Sequence, residues 1–185
     1  MHVIGHHIGP ARQHVLDRVR GTVDQAADLV QNAMGHPLVD VDVIVTDTYF
    51  ARQIAGECDD EHRAYGYTAY TPNRILAIVN AQACGRDLGE VDRTTVHELV
   101  HAVQMSRPGA RDGFLGLAWG EVDRLQGPAL SLYRTRWNAN EAEAQLMEYL
   151  ALRLRAVGPV GAAVGSGLTD EFVREFHKAR TGAPA

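Results

Sequence analysis

Residues 94–104 read TTVHELVHAVQ, and within them His97, Glu98 and His101 have the spacing His-Glu-x-x-His. On an α-helix, positions i and i+4 lie one above the other on the same face, so the two imidazoles can share one metal ion. Zinc takes imidazole nitrogens at about 2.0–2.1 Å. Glu98 stands one residue round from His97, and its carboxylate can reach a metal-bound water without ligating the metal. That is the geometry of zinc plus a general base. The neighbouring residues support a helix. Asp87 and Glu90 have capping-box spacing and put acids at the positive end of the helix dipole. Val96, Leu99, Val100 and Val103 recur at helical spacing and predict the buried side. His97, His101 and Gln104 form a polar stripe, and Arg107-Pro108-Gly109 predicts the stop.

Upstream, residues 74–80 (RILAIVN) read as a central strand and residues 64–70 (AYGYTAY) as a second one. The turn signal Thr71-Pro72-Asn73 between them predicts an antiparallel hairpin. Gly66 inside the tyrosine-rich strand predicts a bulge or a close approach by another group. Residues 39–45 (VDVDVIV) alternate, which predicts a strand with one wet face. Residues 47–60 read as a loop with one helical turn, and Asp59, Asp60 and Glu61 as a solvated acidic turn. From Ala11 to Met34, the residues Val15, Val19, Val23, Ala27 and Val30 mark an amphipathic helix closed by Gly35 and Pro37. His2, His6 and His7 read as solvated side chains of a frayed terminus.

Downstream, the pattern is less regular between Pro108 and Trp137, with residues 121–132 allowing a helix interrupted at Gly127-Pro128. Residues 138–157 (NANEAEAQLMEYLALRLRAV) predict a helix whose apolar ridge is Leu146, Leu150, Leu154 and Val157. Gly158 to Gly167 reads as a glycine-rich connector and Asp170 to Arg180 as a last short helix.

The 185 residues suit one domain, and the 45% hydrophobic content suits a packed core. The net charge is −5 and no basic stripe is visible, which argues against nucleic acid as a partner. Cys58 and Cys84 are too few for a disulfide framework and lie in no Cys-x-x-Cys. No leader-like segment or long apolar run is seen, so the expectation is a soluble, cytoplasmic protein without a membrane partner.

A catalytic zinc needs three protein ligands and an open position. A third histidine six residues after the second would require glycine at position 104 and histidine at 107, where the chain has Gln104 and Arg107. A glutamate on a second helix is the other common choice, and Glu141 and Glu143 in residues 140–144 (NEAEA) offer one. A small neighbour, Ala142 or Ala144, would let that helix approach the first closely. Glu141 also stands three residues after Asn138, so helix capping alone would account for it.

In Asn140-Glu141-Ala142, in Ala144, and in the 40 residues from His101 to Glu141, the chain resembles the gluzincins, zinc peptidases with a downstream glutamate ligand. By size it is similar to their compact forms, the minigluzincins. The resemblance implies an α+β, zincin-like fold in a single domain, 1–185. Its upper lobe, about 1–107, would hold a small mixed β-sheet, a backing helix and the zinc helix. A helical lower lobe, about 108–185, would carry the third ligand. It further implies one zinc ion per chain on His97, His101 and Glu141, with Glu143 as the competing ligand. Glu98 would activate the metal-bound water for cleavage of a peptide or protein substrate. Strand 65–70 would lie at the cleft edge, where an extended peptide can pair with it. Gluzincins often carry an acid four residues after the ligand glutamate, which orients the first histidine; this chain has Gln145 there. That glutamine and the tyrosine-rich strand allow, as an alternative, a zinc-containing peptide-binding protein without turnover; a further alternative is a protease blocked by its own segment His2 to His7 or by the tail after Thr169. Tyr149 and His177 are candidates for an oxyanion donor, against plainer readings as a core aromatic and a surface histidine.

Overall fold

The computed structural model describes residues 1–47, 65–70, 73–110 and 124–155. The acidic turn at Asp59 to Glu61, Cys58, the turn at Pro72, the glycine-rich connector and the last helix with His177 lie outside the described residues. The elements are β1 (His2–His6), α1 (Gln13–Met34), β2 (Val41–Thr46), β3 (Gly66–Tyr70), β4 (Ile75–Asn80), one-turn α2 (Ala81–Cys84), α3 (Leu88–Ser106) and α4 (Gly127–Met147). A 3-10 segment, Glu148–Arg153, continues directly from α4.

The four strands form one mixed sheet in the order β1-β2-β4-β3. Strands β1, β2 and β4 run parallel, while β3 pairs antiparallel with β4, Tyr67 opposite Ile78, as the hairpin reading requires. The class is α+β.

Two strand readings are corrected. The N-terminus is not frayed: residues 2–6 pair with β2, and His6 is only 1% exposed. Nor has β2 a wet face. All six of its residues are buried, Asp42 included, which pairs with Arg74. A strand flanked by parallel neighbours on both sides is covered on both faces, so alternation with an acid does not mean exposure. Val43, Val45, Ala77 and Val79 face the core shared with α1 and α3, whereas Ile44, Leu76 and Ile78 form a cluster with Ala69 on the opposite side.

Helix α1 follows its sequence pattern and ends on Gly35 in the left-handed conformation, φ 64°. Helix α3 is the hub. Its start is capped by Asp87, whose carboxylate accepts the Gly89 N–H at 2.8 Å. The cap is one-sided, because Glu90 pairs with Arg93 instead of reaching back. Arg107 leaves the helix in extended conformation, as a residue before proline must. Val96, Leu99, Val100 and Val103 are fully buried, each contributing about 1.5–3 kcal/mol of apolar burial. Arg18 on α1 grips Asp92 on α3, with Nε to Oδ1 at 2.9 Å. Cys84 is a free, buried thiol that donates to the Asn80 carbonyl, and burial pushes its pKa up to about 12.

Helix α4 departs most from expectation. Gly127-Pro128 is its beginning and not an interruption, since proline is tolerated in a first turn where its missing N–H has no helical partner anyway. Asn138 is thus in mid-helix and caps nothing, which removes the capping explanation of Glu141. The α-helix stops at Met147 and not near Val157. Of the expected ridge, Leu150 and Leu154 are buried, while Leu146 is exposed. Ala144, fully buried, is the residue of α4 that lets it approach α3, as a small side chain allows. Among the described residues no helix is long and apolar enough to cross a membrane.

Candidate metal centre

The polar stripe of α3 and the middle of α4 meet at one point. His97 Nε2 and His101 Nε2 are 3.1 Å apart. Glu141 approaches from α4, its Oε1 3.2 Å from His101 Nε2 and its Oε2 3.5 Å from His97 Nε2. Four donors placed tetrahedrally on zinc at about 2.0–2.1 Å stand ~3.3 Å from one another. The ring-to-ring separation and the distance from each ring to its nearer carboxylate oxygen fall close to that value, so His97, His101 and Glu141 could hold a metal ion.

Each imidazole is held from behind. His97 Nδ1 donates to Glu148 Oε1 at 2.9 Å, and His101 Nδ1 donates to Gln104 Oε1 at 2.8 Å. With one proton held on Nδ1, a ring that sheds its second proton turns its Nε2 lone pair to the shared point. The expected amide at Gln145 does not do this work; that side chain is exposed. A carboxylate seven residues after Glu141 does it instead. Seven residues return to the same helix face within about 20°, closer than four do. Replacing Glu148 by Gln is expected to weaken metal binding about 10–100-fold, read by competition with a chromophoric chelator.

Glu143 is committed elsewhere. Its Oε2 accepts from Gln104 Nε2 at 2.9 Å, and its two oxygens accept from Arg107 at 3.2 and 3.3 Å. Burial raises its pKa, but Arg107 and Gln104 outweigh this and hold it below the usual carboxylate range. Gln104 is 0% exposed and spends its whole amide: the oxygen on His101, the nitrogen on Glu143 and on the Asn140 carbonyl at 3.0 Å. This joins a metal-site histidine to the glutamate helix.

Glu98 points toward β3. Thr68 Oγ1 lies 2.6 Å from its Oε2 and 2.9 Å from its backbone oxygen, and Tyr70 donates to the Met105 carbonyl, so β3 is stitched to α3 at two points. Gly66 makes room for the carboxylate: a Cβ there would sit 2.6 Å from Glu98 Oε1. The close approach expected at this glycine is therefore found, and it is made by the predicted general base. Burial raises the Glu98 pKa; the charges of His101 and His97 and the Thr68 hydrogen bond offset only part of that.

Burial lowers the His97 pKa, yet hydrogen bonds and charge from Glu141, Glu98 and Glu148 prevail and lift it to about 9; burial lowers His101 too, and Glu141 and Glu98 raise it. Hydrogen bonds from the two imidazoles depress Glu141 to about 2. The metal-free centre therefore holds protons that a metal must displace. A folded-state value above the usual 6.5 means that the imidazolium stabilises the metal-free fold below about pH 6.5 and that this contribution is lost as pH rises through 9. Chelator-stripped protein is thus expected to lose Tm between pH 6.5 and 9. Metal affinity should climb over the same interval, by up to about tenfold per pH unit for each proton released.

Tyr149 is 56% exposed and is not a core aromatic. Trp137, unremarked in the sequence reading, stacks on His101 with ring centroids 6.5 Å apart and planes 17° apart. Its position four residues before Glu141 was the available signal. Comparison with protein-family models finds no match to this chain, and neither do comparisons with curated proteins and with solved structures.

Proposed function

We propose that the chain is a zinc-dependent peptidase in which His97, His101 and Glu141 hold the metal and Glu98 is the general base. The observation that carries this reading is the convergence of the two imidazole Nε2 atoms and the Glu141 carboxylate, 3.1 Å between the rings and 3.2 and 3.5 Å from each ring to its nearer carboxylate oxygen. Zinc bound there would supply Lewis acidity toward a carbonyl oxygen and toward water.

The chain's own residues do the rest. Glu98, raised in pKa by burial, takes a proton from the attacking water and returns it to the leaving amine. Thr68 and Gly66 keep its carboxylate in one place. Strand β3 is outermost in the described sheet, and an extended peptide laid along it would bring a carbonyl past Glu98. The amide at Gln145 is one of two features, with the tyrosine-rich edge strand, that allow a binding protein without turnover. Glu148 on the His97 ring weakens the first of them, since a carboxylate raises histidine basicity more than an amide does.

The test joins metal analysis of the purified protein to digestion of an unbiased peptide library. The expected result is about one zinc per chain, cleavage abolished by a chelator, and activity restored by adding zinc. Cleavage that survives complete metal removal would overturn the assignment.

A further inference from the structure

We infer that Trp137 is the floor of a substrate subsite that takes a large apolar side chain, aromatic or aliphatic, close to the bond that is cut. This rests on the peptidase reading above. Trp137 stands four residues before Glu141 on α4, about 6 Å along the helix axis. An extended peptide advances ~3.3 Å per residue, so the ring serves a side chain one or two residues from the scissile carbonyl.

Three rings stand in file there. Trp137 lies nearly parallel to His101, and Tyr133 stacks on Trp137 with centroids 6.2 Å apart and planes 26° apart. His101 is itself pinned by Gln104. The indole is therefore pre-oriented, and a ligand side chain that packs on it need not order it first. Trp137 nevertheless leaves 42% of its surface in solvent, beside a centre whose other groups are buried or half-buried. A large aromatic held rigid and exposed next to a reaction centre offers apolar contact to whatever enters. An indole face also attracts cations, but Arg134, three residues before Trp137 and so its neighbour on the helix surface, disfavours a lysine or arginine side chain there. That leaves large uncharged side chains.

The test uses the zinc-loaded Glu98→Gln, Trp119→Phe double variant, which should bind without cutting and keeps Trp137 as its sole tryptophan. Peptides carrying Phe, Leu, Ala, Asp or Lys at each position in turn are titrated while Trp137 emission is followed. At one position Phe and Leu should bind at least about tenfold tighter than Ala, Asp and Lys, with a change in emission. Adding Trp137→Ala should abolish that preference, read by calorimetry, with the metal content unchanged, and Trp137→Phe should restore part of it. The subsite is overturned if Trp137→Ala keeps the same preference, if the Lys peptide binds tightest, or if no peptide perturbs Trp137. The two readings fail separately. A parent chain that cuts nothing yet shows the Trp137-dependent preference sinks the peptidase and leaves the subsite. One that cuts with no such preference sinks the subsite alone.

Discussion

Glu98→Gln is expected to keep about one zinc per chain and to lower peptide cleavage by roughly 10²–10⁴-fold, the usual contribution of a positioned general base. The substitution preserves shape, and the amide oxygen can still accept from Thr68, so the 5%-exposed side chain has no reason to leave its place. What it loses is the ability to take a proton. His101→Ala makes the contrast, because it removes a donor and should lose the metal itself. Metal analysis and steady-state kinetics on the two variants separate the roles. A Glu98→Gln chain that cuts peptides as fast as the parent would remove Glu98 from the reaction.

Gly66→Ala should reach a comparable loss without altering any side chain of the site. The added methyl would sit 2.6 Å from Glu98 Oε1, 2.7 Å from its Cγ and 2.8 Å from the Ile78 carbonyl. The last of these belongs to the paired backbone of β4 and has little freedom to retreat. Either β3 lifts or the carboxylate moves, and a displacement of about 1 Å can cost on the order of 100-fold in rate. We expect about that loss in kcat, retained metal, and a fall in stability of about 1–3 kcal/mol from overpacking. Gly9→Ala is the control: no atom lies within 4 Å of its added Cβ, and neither activity nor Tm should change. Full activity in Gly66→Ala would mean that the carboxylate's position is not what limits the reaction.

The helix that carries His97 and His101 and the hairpin were legible because each is specified locally. Valines and leucine at helical spacing, an acid cap and a proline stop all pointed to α3, and two runs joined across a short turn pointed to β3 and β4. What escaped was set by distant partners. Residues 2–6 become a strand only by lying beside β2, about forty positions away in the chain. Asp42 is buried because Arg74 and the sheet enclose it, which its own neighbours in sequence do not announce. Gly127-Pro128 carried a signal with two meanings, since the same pair that breaks a helix also starts one. The trio His97, His101 and Glu141 is readable from spacing, but Glu148 is not, because an offset of four leads to Gln145 while the closer return to the same face comes at seven.

Helix α4 buries one residue, Ala144, with Met147 half-buried against the core, and otherwise meets Gln104 and Arg107 through Asn140 and Glu143, while Glu148 just beyond its end holds His97. Its hold is a polar latch and not a greasy seam. Unfastening it would strip the Gln104 amide nitrogen of both its partners, Glu143 and the Asn140 carbonyl, so partial opening has no comfortable halfway point. The cradle therefore stands ready before any ion arrives. Loading should be reversible, with the stripped protein still folded, unlike small domains that collapse only around their metal.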